Sequence, residues 1–131
     1  MKKIMLLSLL VSVVIYAQDT EKNNSVETMQ NLENGLETIL KGMMYNNKNI
    51  LIKGVDEIKE NTKDIHAFNI KNEKDRNFKP KKYAETESKV IANLAEDILV
   101  SFNKGDRRRS VDNFKKLQNQ CMNCHALIRK W

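Results

Sequence analysis

The sequence predicts an all-α fold, an antiparallel up-down-up-down four-helix bundle, and three observations carry that reading. Apolar residues recur at three- and four-residue steps in four separate segments, the period of a helix that buries one face. One Pro and four Gly in 131 residues are too few turn formers for a sandwich or barrel of short strands. The intervals after the first and third segments are short, which turns each following helix back along the one before it.

The opening segment stands apart from these four. Met1-Lys2-Lys3 is a short positive start, and Ile4 to Ala17 is apolar apart from Ser8 and Ser12. A membrane-spanning helix needs about 20 apolar residues, so this shorter run reads as the core of a secretory signal. Ala17 before Gln18 offers the cleavage point. Residues 1–17 are therefore expected to be a signal peptide and residues 18–131 the working domain, delivered to the bacterial periplasm. The rival reading is an uncleaved membrane tether.

The first helix, about residues 25–45, carries Val26, Met29, Leu32, Leu36, Ile39, Leu40 and Met43 as its stripe; Met43 and Met44 are both expected in the core. Asn46 and Asn47 supply turn chemistry. The second stripe runs through Leu51, Val55, Ile58, Ile65 and Phe68, with Thr62 in an apolar slot. Residues 69–82 lack periodicity, are rich in lysine and hold Pro80, which reads as a solvated loop. Val90, Ile91, Leu94, Ile98, Leu99 and Phe102 form the third stripe. Gly105 suits the left-handed position after a helix, and Asp106 can cap the next one. Val111, Phe114, Leu117, Cys121, Cys124, His125 and Ile128 form the fourth.

Composition removes several function classes. The chain is short enough for one domain only, which excludes a two-domain nucleotide enzyme. Its net charge is +6; removal of Lys2 and Lys3 with the signal lowers this further. Such a charge, without a long basic patch, does not point to nucleic acid. A core this small benefits from a metal, a disulfide or a cofactor.

The chemistry lies in Cys121-Met122-Asn123-Cys124-His125. Two cysteines three apart and followed directly by histidine form the attachment signature of c-type haem. On a helix, positions three apart share a face, so both thiols can reach the two vinyl groups of one porphyrin. His125, four residues after Cys121, can present a ring nitrogen to iron from that face. These are the chain's only two cysteines. A thioredoxin-like couple would sit beside a strand–helix–strand pattern that is missing here. A disulfide between helical neighbours closes too small a loop to stabilise much. A zinc site usually takes four ligands, and His66 is the one other histidine.

An exported four-helix bundle with this motif near the end of its last helix resembles cytochrome c′ and its class II relatives. The resemblance covers about residues 25–131. It includes Gly105, twenty residues before His125, and Arg129, four after it; Ile128 departs from the aromatic residue common at its position. Leu32-Glu33-Asn34-Gly35-Leu36-Glu37-Thr38 is also similar to the first helix of noncovalent b-type four-helix cytochromes, which carry an axial methionine where Leu36 stands.

The resemblance implies one covalent haem c, held by Cys121 and Cys124, with His125 as the proximal iron ligand. Leu36 is then the expected distal-pocket residue. Met29 is its rival as a distal ligand, but it lies seven residues away, about 10 Å along the axis, so the two cannot share that role. The expected function is transfer of single electrons among periplasmic redox proteins, with no substrate turnover. The alternative is binding of nitric oxide or carbon monoxide at an open five-coordinate iron, and a more remote one is an exported thiol or zinc protein without haem. A homodimer is a further option; nucleic acid is not an expected partner.

Phe68 and Tyr83 are expected at the porphyrin edge. His66 reads as a surface residue, with an alternate-ligand or propionate role as the second option. The propionate partner usual in the first helix has no match, since Leu32 stands there. Arg107-Arg108-Arg109 opens a helix, where its charge opposes the dipole, and reads as a solvated face or a docking surface for an acidic redox partner.

Overall fold

A computed structural model describes residues 25–67 and 77–129, with side-chain surroundings for residues 25–65 and 77–127. The expectations placed on residues 1–17, on Phe68 and residues 69–76, and on the side chains of His66, Ile128 and Arg129 lie outside the described residues. Those described hold four α-helices and no strand: α1 (25–44), α2 (Lys48–Asn61), α3 (Pro80–Asn103) and α4 (Arg107–Arg129). The all-α expectation holds. No helix among the described residues is long and apolar enough to cross a membrane.

Helices α1 and α2 meet backbone to backbone. A Cβ added to Gly42 would lie 2.5 Å from the Leu51 nitrogen, and one added to Gly54 would lie 2.6 Å from the Ile39 nitrogen. A Cβ on Gly35 would meet the Ile58 side chain at 3.0 Å and the Gly54 carbonyl oxygen at 3.3 Å. Only the missing side chains let the two helices approach so closely. The turn between them uses Asn46 at φ 49°, a left-handed conformation that asparagine tolerates. Asn47 caps α2, its Oδ1 accepting from the amides of Asn49 and Ile50 at 3.0 and 3.2 Å.

The second apolar stripe continues beyond its α-helix. α2 stops at Asn61, and residues Thr62–Ala67 form a 3-10 segment, so the expected single helix through Phe68 is corrected. Thr62, which stands in an apolar slot, is buried and donates its hydroxyl to the Lys59 carbonyl at 2.9 Å. That bond makes its burial tolerable and draws the chain into the tighter turn. The expected loop is also shorter at its far end. Pro80 begins α3, where its missing N–H costs nothing.

Helices α3 and α4 are joined as expected: Gly105 has φ 77°, and the Asp106 carboxylate accepts from the Arg109 amide at 2.9 Å. Between them runs a buried polar seam. Asn113 Nδ2 donates to the Asp97 carbonyl at 3.2 Å and to Ser101 Oγ at 3.3 Å, and Ser110 Oγ donates to the Ile98 carbonyl at 3.4 Å. Lys59 Nζ and Glu96 Oε2, 2.7 Å apart, tie α2 to α3.

The core gathers Leu32 and Ile39 from α1, Leu51, Val55 and Ile58 from α2, Ile91, Ile98 and Phe102 from α3, and Phe114 and Leu117 from α4. Several stripe residues fall outside it. Val26, Leu40 and Val111 are exposed, and Met44, expected in the core, is 74% exposed. A stripe read from spacing alone is wider than the face that one small bundle covers, and Met44 ends its helix beyond the last core layer.

Candidate functional site

The last third of α4 carries the cysteine–histidine motif on an unbroken helix. Cys124 is buried, whereas Cys121 and His125 are half-buried. Both cysteines are free thiols. Three residues apart, they share a face one turn deep, as their spacing requires. Burial pushes the Cys121 thiol up to about 11, helped by repulsion from Cys124. Burial also raises Cys124, with the Glu87 carboxylate adding to the shift and a hydrogen bond from Tyr83 opposing it. Both thiols are thus held neutral at pH 7.

Helix α3 supplies the wall opposite. Tyr83 is half-buried, its ring 5.4 Å from that of Phe78 at 51°. Burial, the nearby Cys124 and Glu87, and the pull of the Cys124 sulfur on its hydroxyl lift its pKa to about 12. One turn along α3, Glu87 Oε2 accepts a hydrogen bond from Gln120 Nε2 of α4. Tyr83 and Glu87 stand four apart on α3, as Gln120 and Cys124 do on α4. The two pairs form consecutive rungs between the helices.

Sequence reasoning placed Tyr83 beside the reactive end but did not identify Glu87 or Gln120. Their signal was present as spacing: Glu87 lies one turn after Tyr83, and Gln120 one turn before Cys124. Which face of α3 meets which face of α4 is decided by packing, so spacing within either helix was not enough.

No known family, curated protein or solved structure matches this chain. The site must therefore be judged on its own residues.

Two open clefts lie elsewhere. One of about 310 Å³ is lined by Asp97, Val100, Ser101, Lys104, Asp106 and Arg109, and one of about 330 Å³ by Met43, Asn46, Phe102, Arg107, Ser110 and Val111. Ser110 and Cys124 are fourteen residues apart on α4, roughly 21 Å along its axis. The clefts contain none of the residues whose chemistry the motif singles out, and the cysteine pair outweighs their volume as a functional marker.

Among the described residues, no three or more His, Cys, Asp or Glu side chains gather as a metal-binding group. A porphyrin makes a different demand: two thiols on one helical face and one imidazole beside them. Cys121, Cys124 and His125 meet it, and the donor set fits haem c.

The two distal candidates, Leu36 and Met29, are both half-buried and pack against the core from α1. The C-terminal end of α1 meets the opposite end of α4 from the cysteines, because Arg107 Nη2 donates to Asn46 Oδ1 at 2.6 Å. Met43 belongs to that remote end, beside Arg107 and Val111. Arg107 is exposed, as the expected solvated face requires, and it also makes specific contacts. Its guanidinium lies 3.7 Å from the Phe102 ring centroid and donates to the Phe102 carbonyl at 2.6 Å. A charge unfavourable to the start of α4 thus answers the carbonyl end of α3. Arg108 and Arg109 are exposed.

Proposed function

We propose that this chain is an exported c-type cytochrome that carries one covalent haem and passes single electrons between periplasmic redox proteins. The observation that carries the reading is the pair of unbridged thiols on one face of α4, Cys121 and Cys124, with His125 next in sequence. Haem, when bound, supplies an iron that gains and loses one electron without a change in the surrounding covalent structure. Cys121 and Cys124 would hold it by two thioether links, each thiol S–H adding across one vinyl C=C so that sulfur bonds one carbon and the hydrogen goes to the other. His125 supplies the proximal nitrogen. Tyr83 of α3 and Phe78 just before it present aromatic surface on that side.

The full architecture proposed is the antiparallel up-down-up-down bundle that the resemblance to cytochrome c′ implies. Contacts support it: Gly35 faces Ile58 while Gly42 faces Leu51, and Glu87 faces Gln120 while Ser101 faces Asn113. Each set advances along one helix as it retreats along the next. Residues 1–17 serve as the export signal in this reading, and residues 18–131 are the haem domain.

Leu36 favours a second reading, capture of nitric oxide or carbon monoxide. It is apolar, half-buried on the core side of α1, and cannot ligate iron. An open sixth position would follow, with Met29 as the residue able to close it.

Mass spectrometry of denatured protein, made in a host with intact cytochrome maturation, tests the proposal. The expected mass is the chain from Gln18 plus one haem that survives haem extraction. A mass equal to the polypeptide alone would sink it.

A further inference from the structure

We propose that Glu87 is a positioning residue that lowers the reduction potential of the redox group attached at Cys124, with Gln120 holding its carboxylate in place. The inference rests on the haem reading above and adds a determinant that the attachment motif does not contain.

The geometry is a two-rung ladder. Glu87 of α3 accepts from Gln120 of α4, and one turn away Tyr83 stands beside Cys124. Tyr83 and Glu87 are half-buried on α3; Gln120 and Cys124 are half-buried and buried on α4. Gln120, which holds the Glu87 carboxylate, lies one helical turn before Cys124 on α4, about 6 Å along the axis, so the carboxylate stands at the cysteine end of that helix. A thioether at Cys124 makes that sulfur part of the porphyrin rim. The carboxylate then stands at the rim as well.

The sign follows from charge. Reduction adds one electron to the iron, and a fixed negative charge nearby raises the energy of the reduced form more than that of the oxidised form. The Gln120 amide donates one hydrogen bond to the carboxylate, which fixes its position without neutralising it. No Lys or Arg among the described residues forms an ion pair with Glu87. Partial exposure screens the effect, so it falls below what a buried charge would produce.

The measurement is the midpoint potential of the haem-loaded protein, followed by its spectrum as a one-electron mediator sets the potential. Glu87→Gln keeps the shape and removes the charge. The reduced-to-oxidised ratio at fixed potential should rise at least threefold, a shift of about 28 mV at 59 mV per tenfold for one electron. Glu87→Asp, which retains the charge, should stay near the native value. Glu85→Gln, an exposed carboxylate two residues away on α3, should move the ratio by less than half as much.

Equal shifts in Glu87→Gln and Glu85→Gln, or none in Glu87→Gln, would overturn the inference and leave the haem reading intact. If Glu87→Gln does not accumulate, Glu87→Ala removes the same charge, and the same two outcomes decide. A native chain that carries no haem overturns both readings at the mass measurement, before any potential is recorded.

Discussion

Tyr83 on α3 stands beside Cys124 on α4, forty-one residues later in the chain, and its hydroxyl holds the Cys124 thiol below where burial alone would put it. The hydroxyl favours the thiolate relative to the thiol, against the burial and the Glu87 charge that disfavour it. Tyr83→Phe in the haem-free protein should therefore slow alkylation of Cys124 by iodoacetamide a few-fold at pH 8. Mass-resolved alkylation kinetics of the two cysteines would check it, and faster labelling of Cys124 would contradict the arrangement.

The same groups make the haem-free chain sensitive to alkali. Cys121 is raised from 9.0 to about 11 and Tyr83 from 10.0 to about 12. Both bind their protons more tightly when folded, so their contribution is full below pH 9. It falls as the unfolded chain releases those protons first, and is lost as pH rises through 11 and 12. Denaturant midpoints should decline between pH 9 and 12. In Cys121→Ser with Tyr83→Phe the decline should be shallower.

Close contact between α1 and α2 predicts intolerance at Gly54. Gly54→Ala puts a Cβ 2.6 Å from the Ile39 backbone nitrogen, an overpacking that should cost about 1–3 kcal/mol. Gly105→Ala probes a different cause. No atom lies within 4 Å of its would-be Cβ, but φ is 77°, so the cost should be about 1–2 kcal/mol of backbone strain. Shortening Ile39 should rescue neither variant, because the first meets the Ile39 and Gly35 backbone and the second is strained by its own φ; chemical denaturation would read both.

Arg107 joins three pieces of chain, contacting Phe102 at the end of α3 and Asn46 in the α1–α2 turn. Arg107→Ala should lower stability by roughly 1–2 kcal/mol, and Arg107→Lys should recover only part, because lysine lacks the planar fork. Arg108→Ala should change stability by less than about 0.5 kcal/mol, as expected for an exposed side chain without such a role. Thermal melts of the three variants would order them.

The distal side offers the sharpest spectroscopic test. With Leu36 at the open position, the ferrous protein should be high-spin and should bind carbon monoxide without displacing a side chain. Leu36→Met should move the spectrum toward six-coordinate low spin. A native low-spin ferrous spectrum that becomes high-spin in Met29→Ala would instead assign the sixth position to Met29.

Much of this protein was determined by local sequence. Helical period and the scarcity of turn formers specify four helices because a helix's buried face repeats within a few residues. Gly105 and Asp106 mark their turn because the left-handed backbone and the helix cap are local demands. The i, i+3 spacing of Cys121 and Cys124 places two thiols on one face for the same reason. What needed the tertiary structure was every choice between faces. Val26, Leu40 and Val111 satisfy the period yet stay in water, because the width of the buried stripe depends on how closely neighbouring helices approach. Gly35, Gly42 and Gly54 set that approach for α1 and α2, and no single-helix pattern reveals which glycine meets which backbone. Thr62 ends α2 early by satisfying its hydroxyl in a buried turn. Glu87 and Gln120 become partners only when α3 and α4 are set in register. Spacing within one helix fixes which residues share a face; contact between helices fixes what each face meets.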